Sequence, residues 1–364
     1  MAQLLGEIQW SDPIVQPSPD AAWEAEIKRR GGQVAQVDRR VAPLPWLREA
    51  CLGVSTGRFS AINDRLFNLA AIVTSQENAC RYCYGANRAY LKLLGYSEAF
   101  ISRLEQDVHL AELDEKERAV IAFCRRLARS RPRPALADRD ALERMGYPRL
   151  AVHEIALWTA LGCFYNRIGV LMACPPEAGF EKMANGPLGR LLGLFGPLMR
   201  RMSARRRDGR GLPAPDAKSL GGGPFGPILV PLAGLPAAQV VKTALEGAFA
   251  SPVLSRGVKA LMFAIVGRTL ECRPCESQAC AMLAGEGFAA AESEAAIGTL
   301  ASARLPAAES RLLPWVRATV HYQTGPIQRQ TRALAEAVGP AAALEAIGVA
   351  SLANATVRLA MLSE

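Results

Sequence analysis

Two cysteine pairs carry the chemistry that this sequence offers. Cys80 and Cys83 lie in Ser75-Gln76-Glu77-Asn78-Ala79-Cys80-Arg81-Tyr82-Cys83-Tyr84-Gly85-Ala86-Asn87, and Cys272 and Cys275 in Glu271-Cys272-Arg273-Pro274-Cys275. Redox work and metal binding need the thiolate, and a free cysteine with a pKa of ~8.5 is mostly protonated at neutral pH. A helix N-terminus or a nearby cation lowers that value, because unpaired backbone N–H groups and positive charge favour the anion. Arg81 and Arg273 each follow the first cysteine of a pair and add positive potential. Glu77, one helical turn before Cys80, reads either as a proton acceptor or as a solvated or capping carboxylate. Four thiolates also satisfy a tetrahedral zinc site. Structural zinc pairs, however, usually lie ~15 to 20 residues apart, and these are 192 apart, each running on into a helical pattern. No cofactor or resident metal is called for.

The elements that must position these thiols read as helices. Ile62, Leu66, Leu69 and Val73 recur at steps of four and three before the first pair, which is one face of a helix. Cys83, Ala86, Tyr90 and Leu94 continue that spacing until Gly95, so Cys80 and Cys83 stand at a helix entrance. Asp114 and Glu117 form a capping-box signal ahead of Val120, Phe123, Cys124 and Leu127. A shorter helix is expected over 136–145, and a long one from about Leu150 to Met172. No alternating strand pattern of useful length is present, so the expected class is all-α. Trp158 reads as core, and Cys51, Cys124, Cys163, Cys174 and Cys280 as small buried apolar residues. The pair Asn166-Arg167 reads either as a helix contact or as part of a pocket lining.

The 364 residues are half hydrophobic and carry a net charge of +9. Residues 181–220 hold nine Lys or Arg against three acids, which accounts for +6 of that excess. Residues 176–235 are rich in Gly and Pro and read as a basic linker. Within it, Leu188 to Met202 suggests a short amphipathic helix followed by Arg205-Arg206-Arg207. The two readings are a solvated connector and a surface for an anionic partner. The start of the chain lacks a basic stretch followed by an apolar run, and no window reaches the ~18 uninterrupted apolar residues of a membrane span. The expectation is therefore a cytoplasmic, reducing setting in which the nine cysteines are thiols.

A shift of 192 residues brings the halves into register without a gap: Cys80 with Cys272, Cys83 with Cys275, Gly95 with Gly287, Glu117 with Glu309, Pro148 with Pro340 and Ile155 with Ile347. One repeat pair implies two related domains rather than a solenoid. The expected organisation is an N-terminal arm (1–45), a first helical domain (46–175), the linker (176–235) and a second helical domain (236–364).

The run from Ser75 to Ala86, with Phe164-Tyr165-Asn166-Arg167 later in the same helical pattern, resembles the carboxymuconolactone decarboxylase and alkylhydroperoxidase D superfamily. The likeness covers about 46–175 well and 238–364 more weakly. It implies a helical fold that assembles into homo-oligomers, here with pseudo-twofold packing of the fused copies and a trimer as one expected assembly. In the peroxidase branch the second cysteine attacks a peroxide and the first resolves the sulfenic acid to a disulfide, which a dithiol partner reduces. Carried over, Cys83 attacks and Cys80 resolves, with Cys275 and Cys272 matching them.

Two departures qualify the likeness. The peroxidase branch places a His four residues after the second cysteine and a Glu twelve before the first; this chain has Asn87 and Ala279 at the one and Asn68 and Ala260 at the other. Asn hydrogen-bonds but takes no proton at neutral pH. The expected function is a thiol-dependent peroxidase or thiol–disulfide oxidoreductase acting on a hydroperoxide or disulfide. The alternative is a non-catalytic or redox-sensing helical oligomer with a degenerate relay.

Overall fold

Helices make up all the regular structure in the computed structural model, which describes residues 2–361; a single isolated bridge, Phe59 to Asp208, is the only β pairing among them. The fold is all-α. Two short helices, α1 (Ala21–Arg29) and α2 (Gln36–Val41), precede a first group: α3 (Pro45–Ser55), α4 (Asp64–Glu77), α5 (Arg81–Leu93), α6 (Glu98–Gln106), α7 (Glu115–Arg129), α8 (Leu136–Arg144) and α9 (Arg149–Leu171). Residues 176–235 form α10 (Ala178–Asn185), α11 (Pro187–Leu194), α12 (Gly196–Arg207), α13 (Ala217–Gly221) and α14 (Gly226–Leu229). A second group follows: α15 (Ala238–Ala250), α16 (Arg256–Thr269), α17 (Arg273–Gly285), α18 (Ala290–Thr299), α19 (Ala307–Ser310), α20 (Leu312–Ala318), α21 (Thr324–Val338) and α22 (Pro340–Ala360).

Helix ends follow local chemistry. Asn63 caps α4 by accepting from Leu66 N at 2.8 Å. Asp114 and Glu117 close the expected capping box on α7, with Glu117 N donating to Asp114 at 2.7 Å and Asp114 N to Glu117 at 3.3 Å. The bounds of α16 and α17 lie 192 residues after those of α4 and α5. Single left-handed residues, Ala79 and Glu271, turn the chain between the members of each pair. Both positions are 192 apart as well.

The two groups share one hydrophobic core, with α9 packed on α22 at its centre and α4 and α16 flanking them. α22 is long and apolar enough to cross a membrane by composition, yet 83% of its most apolar window is buried inside the protein. It is a core helix here. Between α16 and α22 sits an ion pair: Lys259 Nζ and Glu345 Oε1 are 2.5 Å apart and both side chains are wholly buried. Nζ also donates to Ala248 O (2.8 Å) and Ser251 O (2.6 Å), and Glu345 Oε2 accepts from Ser251 Oγ (2.5 Å).

The N-terminal arm crosses both groups. Trp10 Nε1 donates to Cys174 O (3.0 Å), Ile14 N to Met172 O (2.9 Å) and Ser11 N to Gln328 Oε1 (3.0 Å). The segment 176–235 is not a solvated connector along its whole length. α10 and α11 pack on α5, because Arg81 and Glu181 pair in a fork at 2.8 and 2.9 Å directly over Gly85. A Cβ at Gly85 would stand 2.2 Å from Glu181 Oε1.

Candidate active site

Cys80 is the N-cap of α5, and its sulfur accepts a hydrogen bond from Cys83 N at 3.3 Å. The loop in front of it is braced by the second group: Tyr322 donates to Asn78 O (2.6 Å) and Thr324 to Ala79 O (3.3 Å). From the other side α9 approaches at Gly169. A Cβ there would lie 3.0 Å from Cys80 Sγ and 3.6 Å from Cys83 Sγ. The thiols are therefore held between α5, α9 and the second group.

Cys83 is the one cysteine that lines a cavity of about 480 Å³. Its walls are aromatic: Phe67 stacks on Trp158 with ring centroids 3.9 Å apart, and Tyr82 and Tyr165 complete the apolar side. Beside the thiol lies a run of polar contacts. Asn87 Nδ2 donates to Ser75 Oγ (2.9 Å), and Ser75 Oγ in turn donates either to Ala71 O (2.8 Å) or to Asn166 Oδ1 (3.3 Å). Asn87 is one helical turn beyond Cys83, so the two share a face of α5. Asn68 lines the same cavity and donates to Asp64 O at 2.7 Å. The positions at which the resemblance expects His and Glu thus meet at this cavity as neutral amides.

Burial outweighs the helix start in setting the thiol of Cys83. Desolvation, then the hydrogen bond it shares with Cys80, push it well above the ordinary range, because charge is disfavoured in an apolar surrounding. The expectation of a lowered value fails at this sulfur. In the second pair the bias differs: a hydrogen bond from Cys275 is the main cause that holds the Cys272 thiol below the ordinary range, assisted by Arg133, whereas burial drives Cys275 upward.

The second pair is more enclosed. Cys275 is 0% exposed against 6% for Cys83. At 192 residues after Phe67, Asn68, Ser75, Asn87, Trp158 and Tyr165 stand Lys259, Ala260, Gly267, Ala279, Ala350 and Val357, all buried. Gly267 lets α17 approach so closely that a Cβ would meet Glu276 N at 3.1 Å. Four of these six are Ala or Gly, and with Lys259 and Val357 they stand buried where the first group has its cavity lining.

Several expected roles shift. Glu77 is held by Arg125 at 2.9 Å and Arg129 at 2.7 Å and does not line the Cys83 cavity, so it is not the local proton acceptor. Arg81 has its charge met by Glu181 and serves to dock α10. Trp158 forms a cavity wall rather than closed core. Of the pair left open, Asn166 lines the cavity while Arg167 ties α9 to Asn78 Oδ1 (2.9 Å) and to Thr319 O and Val320 O (3.3 Å each). Among the described residues no three His, Cys, Asp or Glu side chains converge in a metal-holding cluster, and the two cysteine pairs do not meet. Arg207, from the end of α12, also lines the cavity; only its place in the Arg205-Arg206-Arg207 run marked it in the sequence.

No protein family, curated protein or solved structure matches the chain.

Proposed function

We infer that the chain is a fused pair of domains of the carboxymuconolactone decarboxylase and alkylhydroperoxidase D type, working in a reducing cytoplasmic setting as a thiol-dependent peroxidase. The observation that carries the reading is that Cys83 faces a cavity while Cys80 lies wholly enclosed against it. The recurrence of helix bounds and of left-handed residues at 192 positions supports the duplication. In the reaction, the Cys83 thiolate attacks the outer peroxide oxygen, the O–O bond breaks, and the alcohol leaves with a proton. The Cys83 sulfenic acid then condenses with the Cys80 thiol, releasing water and forming a disulfide. A dithiol partner reduces this by exchange and is itself oxidised to a disulfide. Cys272 and Cys275, both wholly enclosed, serve the structure of the second domain.

The test is a count of free thiols after adding one equivalent of an organic hydroperoxide to the reduced protein. Two thiols per chain are expected to disappear, a loss abolished in Cys83→Ser and retained in Cys275→Ser. Consumption no faster than in the unfolded chain refutes the peroxidase. That result supports the second reading, a redox-sensing or non-catalytic oligomer, which the neutral amides Asn68 and Asn87 favour.

The basic segment has a partner of its own on this reading. Leu188, Leu191, Leu194, Phe195, Leu198 and Met202 are more than half exposed along α11 and α12, Leu194 reaching 78%. Exposed Arg190, Arg201, Arg205 and Arg206 accompany them. An apolar stripe with a cationic surround suits the interface of an anionic bilayer, whereas a twofold contact between copies would set arginine against arginine. Vesicles containing phosphatidylglycerol are expected to sediment the protein, and neutral phosphatidylcholine vesicles are not. Leu194→Glu with Phe195→Glu should abolish the binding. Failure to sediment, together with a multimeric mass that these substitutions reduce, would assign the face to a second copy of the chain.

A further inference from the structure

The geometry points to an organic carboxylate with an apolar body as the occupant of the Cys83 cavity, its anionic end held by Arg207 and its other end lying at Asn166 and Cys83. This deepens the peroxidase reading by naming a substrate class, a hydroperoxide that also bears a carboxylate, but the binding site itself rests on separate observations.

The first is a pair of donors without acceptors. Arg207 Nη1 and Asn166 Nδ2 are both buried and make no hydrogen bond, and both residues line this cavity. An unmet buried donor is costly, and more so when charged, so a ligand supplying acceptors is favoured at both points. Asn166 is itself 3% exposed, its Oδ1 lies 3.3 Å from Ser75 Oγ, and its Nδ2, without a partner in the protein, is left for a guest.

The second is the lack of a counter-charge. The Arg207 guanidinium lies 3.7 Å from the Phe67 ring centroid and 5.6 Å from that of Tyr90, and no carboxylate among the described residues forms an ion pair with it. Burial pushes it down, with the Tyr90 hydroxyl and then Asp64 only partly opposing this. The carboxylate that does line the cavity, Glu177, is occupied by Gln36 N at 2.6 Å and by Tyr82 OH at 3.2 Å. A half-buried cation with aromatic faces and a buried, open Nη1 donor suits a carboxylate, which forms charge-assisted hydrogen bonds with guanidinium.

The third is the spacing. Phe67, beneath Arg207, precedes Ser75 by eight residues on α4, and Trp158, stacked on Phe67, precedes Asn166 by eight on α9. At 1.5 Å per residue the two polar ends are ~12 Å apart along the helices, with aromatic surface between them. The volume falls within the range of ~300–1,000 Å³ usual for small-molecule sites. A short peroxide such as hydrogen peroxide leaves most of this wall and both donors unused.

Calorimetric titration of the full-length Cys83→Ser protein with octanoate and with octanamide tests the assignment without any turnover. Octanoate is expected to bind at least about tenfold more tightly, in line with the added strength of a charge-assisted hydrogen bond. Arg207→Gln should erase the preference and Arg207→Lys should restore part of it, with helical circular dichroism checked in each. Equal affinity for the two probes, or a preference that survives in folded Arg207→Gln, overturns the proposal. Thiol loss in the wild-type protein then separates the two readings. Carboxylate preference without peroxide consumption removes the peroxidase and keeps the site, whereas consumption without preference does the reverse.

Discussion

Lys259→Met is expected to destabilise the protein by about 3–5 kcal/mol, the range for removing one partner of a buried ion pair. Both charges are wholly enclosed. The variant strands Glu345 with only the Ser251 hydroxyl, and it also takes the donor from Ala248 O and Ser251 O. Glu345→Leu should lose a similar amount by leaving an ammonium group unpaired in the core. The double variant, which removes both charges, is expected to lose less than either single one, since two apolar groups need no partners. Urea unfolding of the four proteins closes the cycle. Single-variant losses below about 1 kcal/mol would show that the pair is solvated in solution.

Thiol reactivity at Cys83 should be slow at neutral pH and rise steeply with alkalinity. The folded protein holds the proton on this sulfur more tightly than an ordinary cysteine does. Below the thiol's pKa, the thiolate fraction grows about tenfold for each pH unit. Oxidation of Cys83 by a hydroperoxide should follow that slope from pH 7 to 9. Asn87→His would place a proton acceptor where Asn87 now meets Ser75, and general-base assistance contributes about 10² or more. The variant is therefore expected to gain about that factor at pH 7 and to show a flatter profile above the imidazole pKa. Asn87→Ala should gain nothing. A pH-independent wild-type rate would show that the buried thiol is not the reacting group.

The helices were legible because each buries one face, and the period of Leu66, Leu69 and Val73 records that face directly. So did the caps, since Asp114 with Glu117 and Cys80 with Cys83 act within four residues of one another. What escaped depends on partners distant in sequence. Nothing near Arg81 says that Glu181 neutralises it, and nothing near Glu77 says that Arg125 and Arg129 enclose it. Trp158 has the same apolar surroundings whether it faces packed core or a cavity wall. One part of the cavity wall forms where α12 brings Arg207 back against Phe67, a contact between the basic segment and the first helical group. A Gly/Pro-rich composition gave no sign that this segment would fold onto α5.

Under the proposed thiol chemistry, the approach of Gly169 would also set a direction for electron entry. With Cys80 wholly enclosed beneath α9, a disulfide across the pair would show only the Cys83 sulfur to the cavity. An incoming thiolate must then form its mixed disulfide with Cys83, and Cys80 departs as the leaving group while keeping the hydrogen bond from Cys83 N–H. On the proposed peroxidase reading, the sulfur that meets the oxidant would be the same one that meets the reductant. Both half-reactions of that proposed cycle would share a single doorway, in which substrate and reductant would take turns.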